Sequence, residues 1–487
     1  MAWLSCVGLR REAKTRIFSH ARRVSRRNCG LGPLGLLGPK EGHGVGEATQ
    51  EGPTPERPRC GPGRPYNPAP RGLNGTRAMI PNETTSPRPM RSLQAAMLSQ
   101  YAVGGAIIPF ITLHFQDRGL DFSEIGWLFL TSSAVGVLIP LLWGYIADRV
   151  IPVHRLIMCL HGAGAIVLLV LARQGSFAGL LVTYGLFAAC FNPTGALLSA
   201  LAYHTLPSPE RQFGKLRLWG SVGWMLPSLP ISLWLAWRES GDDSSVTFCV
   251  YLAAALGFLV VGVAFFFPSA PPVRTPLVGA GPVLPYPAAL ARLFRRHGFV
   301  TFLLVVFLSH ASFAVLIYYS PSFLEAAGFE RKWIGPLQCL GVAVELPFLV
   351  ILPRVIGRVG YRITIAFGCG TLFVRHALFA AAAGPILLAS SYVLAGACVA
   401  FYLTAVSLAI NRMADRSLRA SAQSIVFLVG SGLGQMFGHR AVGWLASRSG
   451  GGLHLSFLFA AIAAAVALAL VVFGLRGKDL FDAPKEG

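Results

Sequence analysis

His310, Glu345 and Arg375 each lie near the middle of a long apolar stretch of the chain. A charge at the centre of a membrane helix costs at least about 2.5–3.5 kcal/mol, so such residues are rare and usually line a water-filled path. Their chemistries are complementary. Arg375 keeps its proton and offers a bidentate fork to a carboxylate. Glu345 can load and release a proton, and a nearby guanidinium alters how readily it does so. His310 can relay a proton or donate a hydrogen bond. The trio predicts passage of a polar solute coupled to a proton, because a change in the Glu345–Arg375 distance would link proton affinity to substrate occupancy. The competing reading is a permanent Glu345–Arg375 salt bridge pinning two helices, with His310 in a packing role.

Weaker polar candidates flank this trio. Gln100 and Asn192 sit mid-span in the first half and could bond a substrate or bridge two helices. Tyr318, beside Phe313 and Tyr319, could line a pocket for an aromatic ring, or simply pack. Tyr101 and Trp219 offer aromatic surface, with Trp219 also suited to an interfacial anchor. His376 is expected to pack, and Arg440, late in its span next to His439, to snorkel. Gly430, Gly434 and Gly438 form a repeated G-x-x-x-G that predicts close helix packing.

The elements that must hold these residues are membrane helices. The chain has 487 residues, 54% hydrophobic and 13% charged, against about 25% charged in soluble domains. Apolar spans fall at roughly 92–116, 124–147, 155–172, 177–201, 217–238, 247–268, 298–322, 333–353, 362–384, 386–410, 420–447 and 454–475. Each is long enough to cross a bilayer with some tilt. A polar segment, 269–297, divides them six and six. The expected fold is therefore an all-α membrane protein of twelve transmembrane helices in two six-helix bundles, 91–268 and 298–476. A cytoplasmic linker (269–297) joins them and a short cytoplasmic tail (477–487) follows. At ~1.5 Å per residue, His310 and Arg375 lie ~18 and ~20 Å from one face and Glu345 ~18 Å from the other, so all three reach mid-bilayer. Two such halves suggest a transporter with its site at their interface.

Charge placement fixes orientation and excludes other classes. The net charge is +21, but residues 1–90 hold 15 Lys/Arg against 6 Asp/Glu, and most of the remaining excess sits in alternate short loops. That is a topology signal rather than a nucleic-acid face, and it places both termini in the cytoplasm. Residues 1–90 are Gly/Pro-rich and basic, which predicts disorder. An over-extended start near Met79 or Met90, a cytoplasmic tail and an organelle transit peptide are the three readings of it. The nine cysteines show no C-x-x-C or Cys/His spacing for a metal. No Walker, dinucleotide or catalytic Ser/His/Asp pattern is present, so no enzyme and no cofactor is expected, and the proton gradient is the energy source.

The residues resemble the major facilitator superfamily. The loop after the second span, Gly144-Tyr-Ile-Ala-Asp-Arg149, is similar to its G-x-x-A-D-R motif, and the resemblance implies that Gly144, Asp148 and Arg149 form a gating loop. The corresponding loop at 353–361 keeps its basic character without the Asp. The string Phe213-Gly-Lys-Leu-Arg-Leu-Trp-Gly-Ser-Val-Gly-Trp224 resembles the phenylpropionate permease branch, related to nucleoside and oligosaccharide proton symporters. In that branch His, Glu and Arg occupy spans 7, 8 and 9, matching His310, Glu345 and Arg375. The span 10–11 loop, 411–423, is also similar. Span 10 here carries no acid or His, unlike lactose permease. The resemblance implies a proton-coupled symporter of a small organic solute: an aromatic carboxylate, a nucleoside or a sugar. The alternative is a proton-driven exporter of amphipathic compounds, although span 5 lacks the G-P-x-x-G-G-like string of drug antiporters. A monomer in the plasma membrane is expected, a bacterial inner membrane in particular, with solute, protons and membrane lipid as partners.

Overall fold

Apolar runs of this length leave the backbone no water to bond with, so they satisfy themselves as helices. In the computed structural model of the chain no strand occurs among the described residues. Those residues are 87–206, 209–238, 246–267, 294–296, 298–414, 419–475 and 481. The side chains of 87–89, 141, 148–149, 209–211 and 419–420 are also outside the description. The expectations placed on the N-terminal tail, on nearly all of the linker and on the Asp148–Arg149 pair therefore lie outside the described residues.

The first half carries α1 (Pro87–Ile107), α2 (Ile111–Asp117), α3 (Phe122–Arg149), α4 (Val153–Leu171), α5 (Phe177–Thr205), α6 (Pro209–Met225), α7 (Ser228–Arg238) and α8 (Thr247–Ala264). The second carries α9 (Phe299–Tyr318), α10 (Ser320–Ala326), α11 (Ile334–Ala380), α12 (Pro385–Ser390), α13 (Tyr392–Cys398), α14 (Ala405–Met413), α15 (Arg419–Phe427), α16 (Gln435–Arg448) and α17 (His454–Ala469). Wider π-helical turns join α13 to α14 (Val399–Thr404) and α15 to α16 (Leu428–Gly434). Nine helical stretches among the described residues are long and apolar enough to cross a membrane.

Local chemistry sets several boundaries. Asp121 and Glu124 form a reciprocal capping box at the start of α3, satisfying two otherwise orphaned amides. Ser176 caps α5 through the Gly179 amide. Pro227, lacking an N–H, falls at the break between α6 and α7. Gly360, at φ 80° and ψ 169°, interrupts α11 in a conformation that side-chain-bearing residues avoid.

The two limbs of α11 run in opposite directions. Gly341 meets Tyr392, and the Phe348 and Phe401 rings lie 5.2 Å apart, so the first limb runs parallel to the 392–402 segment. Arg375 bonds Ser391, while Phe367 lies 5.2 Å from Phe401, so the second limb runs antiparallel to it. The chain turns back at Gly360.

Two apolar cores result. One is confined to the second half, built on Phe302, Leu372, Cys398 and Tyr402. The other fills the first half and continues into the second through Tyr319, Phe323, Phe379 and Val442. Core packing thus joins the halves at the end marked by Asp117 and Tyr319. The G-x-x-x-G glycines pack as expected: Gly430 and Gly434 abut His310, and Gly438 abuts the Ala311 carbonyl of α9.

Candidate functional site

A cavity of about 290 Å³ lies between the halves. Tyr101 of α1 and Arg217, Ser221 and Trp224 of α6 form one wall; Tyr318 of α9, Gln338 and Glu345 of α11, Tyr392 of α13 and Gln435 of α16 face them. Arg217, Ser221 and Trp224 follow one another at helical spacing of four and three residues, which puts them on one face of α6. Ser221 Oγ donates to Glu345 Oε1 at 3.2 Å, bridging the halves. The Arg217 guanidinium lines the same cavity and stacks 4.3 Å from the centre of the Tyr101 ring. Glu345 is the only carboxylate lining this cavity among the described residues.

The expected trio is not assembled. Arg375 is 1% exposed and lies behind the cavity wall, not in it. Its Nη1 donates to Ser391 Oγ at 2.8 Å and its Nη2 to Ser320 Oγ at 3.4 Å, and its guanidinium stacks 4.2 Å from the Tyr392 ring centre. Tyr392 is the side chain that reaches the cavity. The expected Glu345–Arg375 pairing is therefore corrected: the carboxylate shares its cavity with Arg217 instead, and the competing salt-bridge reading fails with it. His310 is likewise closed off from the cavity. Its Nδ1 lies 2.9 Å from the Val306 carbonyl, which accepts from it, and 2.8 Å from the Tyr402 hydroxyl, while Gly430 presses against its ring and Gly434 against its Cβ.

Of the weaker candidates, Tyr318 lines the cavity. Gln100 does not; its amide donates to Thr194 Oγ1 at 2.7 Å and its carbonyl pairs with His161, tying α1, α4 and α5 together. Asn192 reaches the Ser132 carbonyl on α3 at 3.4 Å and bridges two helices. Gly144 has open space where a side chain would project. Arg217, Ser221 and Trp224 lie in the 213–224 string that carries the family resemblance, but none of them was expected at the site. Their shared face on a helix entering the bilayer was the available signal.

One end of the cavity is sealed by contacts between the halves. Phe129 of α3 packs against Tyr318, Tyr319 and His439 at 4.5, 5.7 and 5.0 Å between ring centres. Thr112 Oγ1 donates to the Tyr318 carbonyl, and Ser322 Oγ donates to Gln116 at 2.6 Å. Arg331 pairs with Asp117 at 2.8 Å and with Glu325 at 2.6 Å. Hydrogen bonds to charged groups contribute about 1.5–3 kcal/mol. Asp117→Asn is therefore expected to loosen this end and speed maleimide labelling of an Ile108→Cys reporter in the cavity about ten-fold. Unchanged labelling would mean the ion pair does not hold the end shut.

The comparisons with known proteins agree with this fold. Residues 90–479 match the family described as "Nucleoside H+ symporter". The putative nucleoside transporter YegT of Escherichia coli (strain K12) is 25% identical over 358 residues, 72% of this chain and 83% of that protein. The nucleoside permease NupG of the same organism is 23% identical over 345 residues, 68% of this chain and 79% of that protein. The crystal structure of the nucleoside transporter NupG superposes with a TM-score of 0.68 at 20% identity, covering 80% of this chain and 99% of that one. The chain belongs to the nucleoside H+ symporter family and is a proton-coupled, multi-pass membrane transporter rather than an enzyme.

Proposed function

We propose that the chain carries a nucleoside together with a proton through the central cavity, with Glu345 as the proton-bearing group. The observation that carries this reading is the bond from Ser221 to Glu345 across the two halves, in a cavity that Arg217 also lines. A carboxylate held between two moving halves exchanges its partners when they rock, and its proton affinity changes with them.

The lining favours a neutral, ring-bearing solute. Glu345 and Arg217 are the one acid and the one strong base of the lining among the described residues, so with the acid ionised the cavity carries no net charge. Trp224 and Tyr392 offer ring faces, and aromatic pairs contribute about 0.5–1.5 kcal/mol beyond their area. Ser221, Gln338 and Gln435 supply donors and acceptors for sugar hydroxyls and base edges. The names of the permease relatives point to the same class of solute.

The reading includes twelve crossings. Nine stretches qualify by length and hydropathy, the 50-residue one folds back at Gly360, and 209–238 and 419–448 supply two more. The basic loops support a topology with both termini in the cytoplasm, the Asp117–Arg331 end outside and the cavity sealed from that side.

Radiolabelled uridine uptake into proteoliposomes under an imposed pH gradient, acid outside, tests the proposal. Accumulation abolished by a protonophore is expected. Trp224→Ala should raise the KM for uridine about ten-fold, the loss of roughly one aromatic stacking interaction, with a smaller change in maximal rate. Accumulation of phenylpropionate but not uridine would overturn the substrate assignment. Accumulation driven only by an acid interior would restore export.

A further inference from the structure

We infer that the groove between α16 and α17 holds an anionic phospholipid, its phosphate on Arg440 and an acyl chain in the groove. The site is separate from the solute cavity and does not depend on which solute is carried. The groove has a volume of about 640 Å³ and is lined by apolar side chains, including Phe437, Trp444, Leu455 and Phe459, with Arg440 as its one charged member. Arg440 lies eight residues before the end of α16, about 12 Å along the axis. That depth is below the headgroup layer of a bilayer with a ~30 Å hydrocarbon core, within reach of a snorkelling side chain.

The guanidinium is incompletely satisfied. It stacks 4.9 Å from the centre of the Trp127 ring, and its Nη1 is sealed from solvent with no hydrogen-bond partner among the described residues. No carboxylate pairs with it among the described residues. A guanidinium at this depth calls for an anion, and its planar fork suits phosphate oxygens. A membrane supplies phosphate already joined to hydrocarbon, and the adjoining groove is open and apolar. One turn further on, Trp444 is covered by Arg448 at 4.6 Å, so the groove ends at an aromatic and basic rim of the kind that sits among headgroups. The charge selects an anionic over a zwitterionic headgroup.

Native mass spectrometry of the full chain, titrated with phosphatidylglycerol or with phosphatidylcholine of the same acyl chains, tests this. Wild type is expected to retain one phosphatidylglycerol about ten-fold more tightly than Arg440→Gln, the worth of a charge-assisted hydrogen bond. It should also prefer phosphatidylglycerol over phosphatidylcholine. Ala441→Phe fills the groove while leaving Arg440 in place, and should lower retention as well. Excess inorganic phosphate should not displace the lipid. Equal retention by wild type and both variants, or no preference between the lipids in wild type, would overturn the proposal. So would displacement by inorganic phosphate alone, which would mean a simple anion site. A dimer mass lost in Ala441→Phe would assign the groove to a second copy of the chain instead.

Discussion

Glu345→Gln is expected to reduce proton-driven accumulation to simple equilibration while exchange of preloaded solute continues at close to the wild-type rate. Glutamine has nearly the shape of the protonated carboxyl and keeps an oxygen to accept from Ser221, whose bond to Glu345 spans 3.2 Å. The cavity therefore retains its form, but no proton can be loaded or released. Arg217 loses its counter-charge at little cost, because it is exposed and solvated. Glu345→Ala makes the informative contrast. It leaves Ser221 without its acceptor on α11 and opens a void between the halves, so both accumulation and exchange should fall. Parallel assays of uphill uptake and counterflow in proteoliposomes separate the two variants. Uphill uptake retained by Glu345→Gln would remove this residue as the proton carrier.

Gly223→Val is expected to destabilise the folded protein severely. A Cβ on Gly223 would fall inside the radius of the Leu98 carbonyl oxygen, and one on Gly105 inside that of the Trp224 carbonyl oxygen. The two glycines let the backbones of α1 and α6 touch. Both obstacles are main chain within helices, so neither can swing aside. Overpacking of this kind costs about 3 kcal/mol or more, a large share of the roughly 5–15 kcal/mol that holds a native protein together. Separating α1 from α6 also parts Tyr101 from Arg217. Gly104→Ala should be far milder, since the nearest atom there is the Trp224 ring at 2.9 Å; it should shift the KM for the solute and spare the fold. Size-exclusion profiles and melting curves in detergent read the difference. A monodisperse, wild-type-like Gly223→Val would show that the helices are not so tightly apposed.

Much of the fold was legible in the chain because a membrane helix is announced by composition alone: about twenty apolar residues in a row. The turn at Gly360 was placed correctly between two spans, although the helix runs through it almost without pause. The break at Pro227 within the 217–238 span was not foreseen. The site was legible only in part, for a geometric reason. Rise per residue gives depth, and depth put His310, Glu345 and Arg375 at one level; it gives no account of what stands between them. Tyr392 stands before Arg375 and Tyr402 packs on His310. Arg217, although part of the 213–224 string, was not expected at the site for the opposite reason. It follows Arg211 and Lys215, and so read as one more charge setting orientation. For Gln100 the helix-bridging alternative holds, its amide being occupied by His161 and Thr194.

The central claim is that Glu345 carries the proton that moves with the solute. Its most direct test is the pH of a weakly buffered medium when uridine is added outside de-energised proteoliposomes. Wild type should alkalinise the medium as solute and protons enter together. Glu345→Gln, present at equal density and competent in counterflow, should leave the pH unchanged. An alkalinisation of wild-type size in that variant would contradict the account.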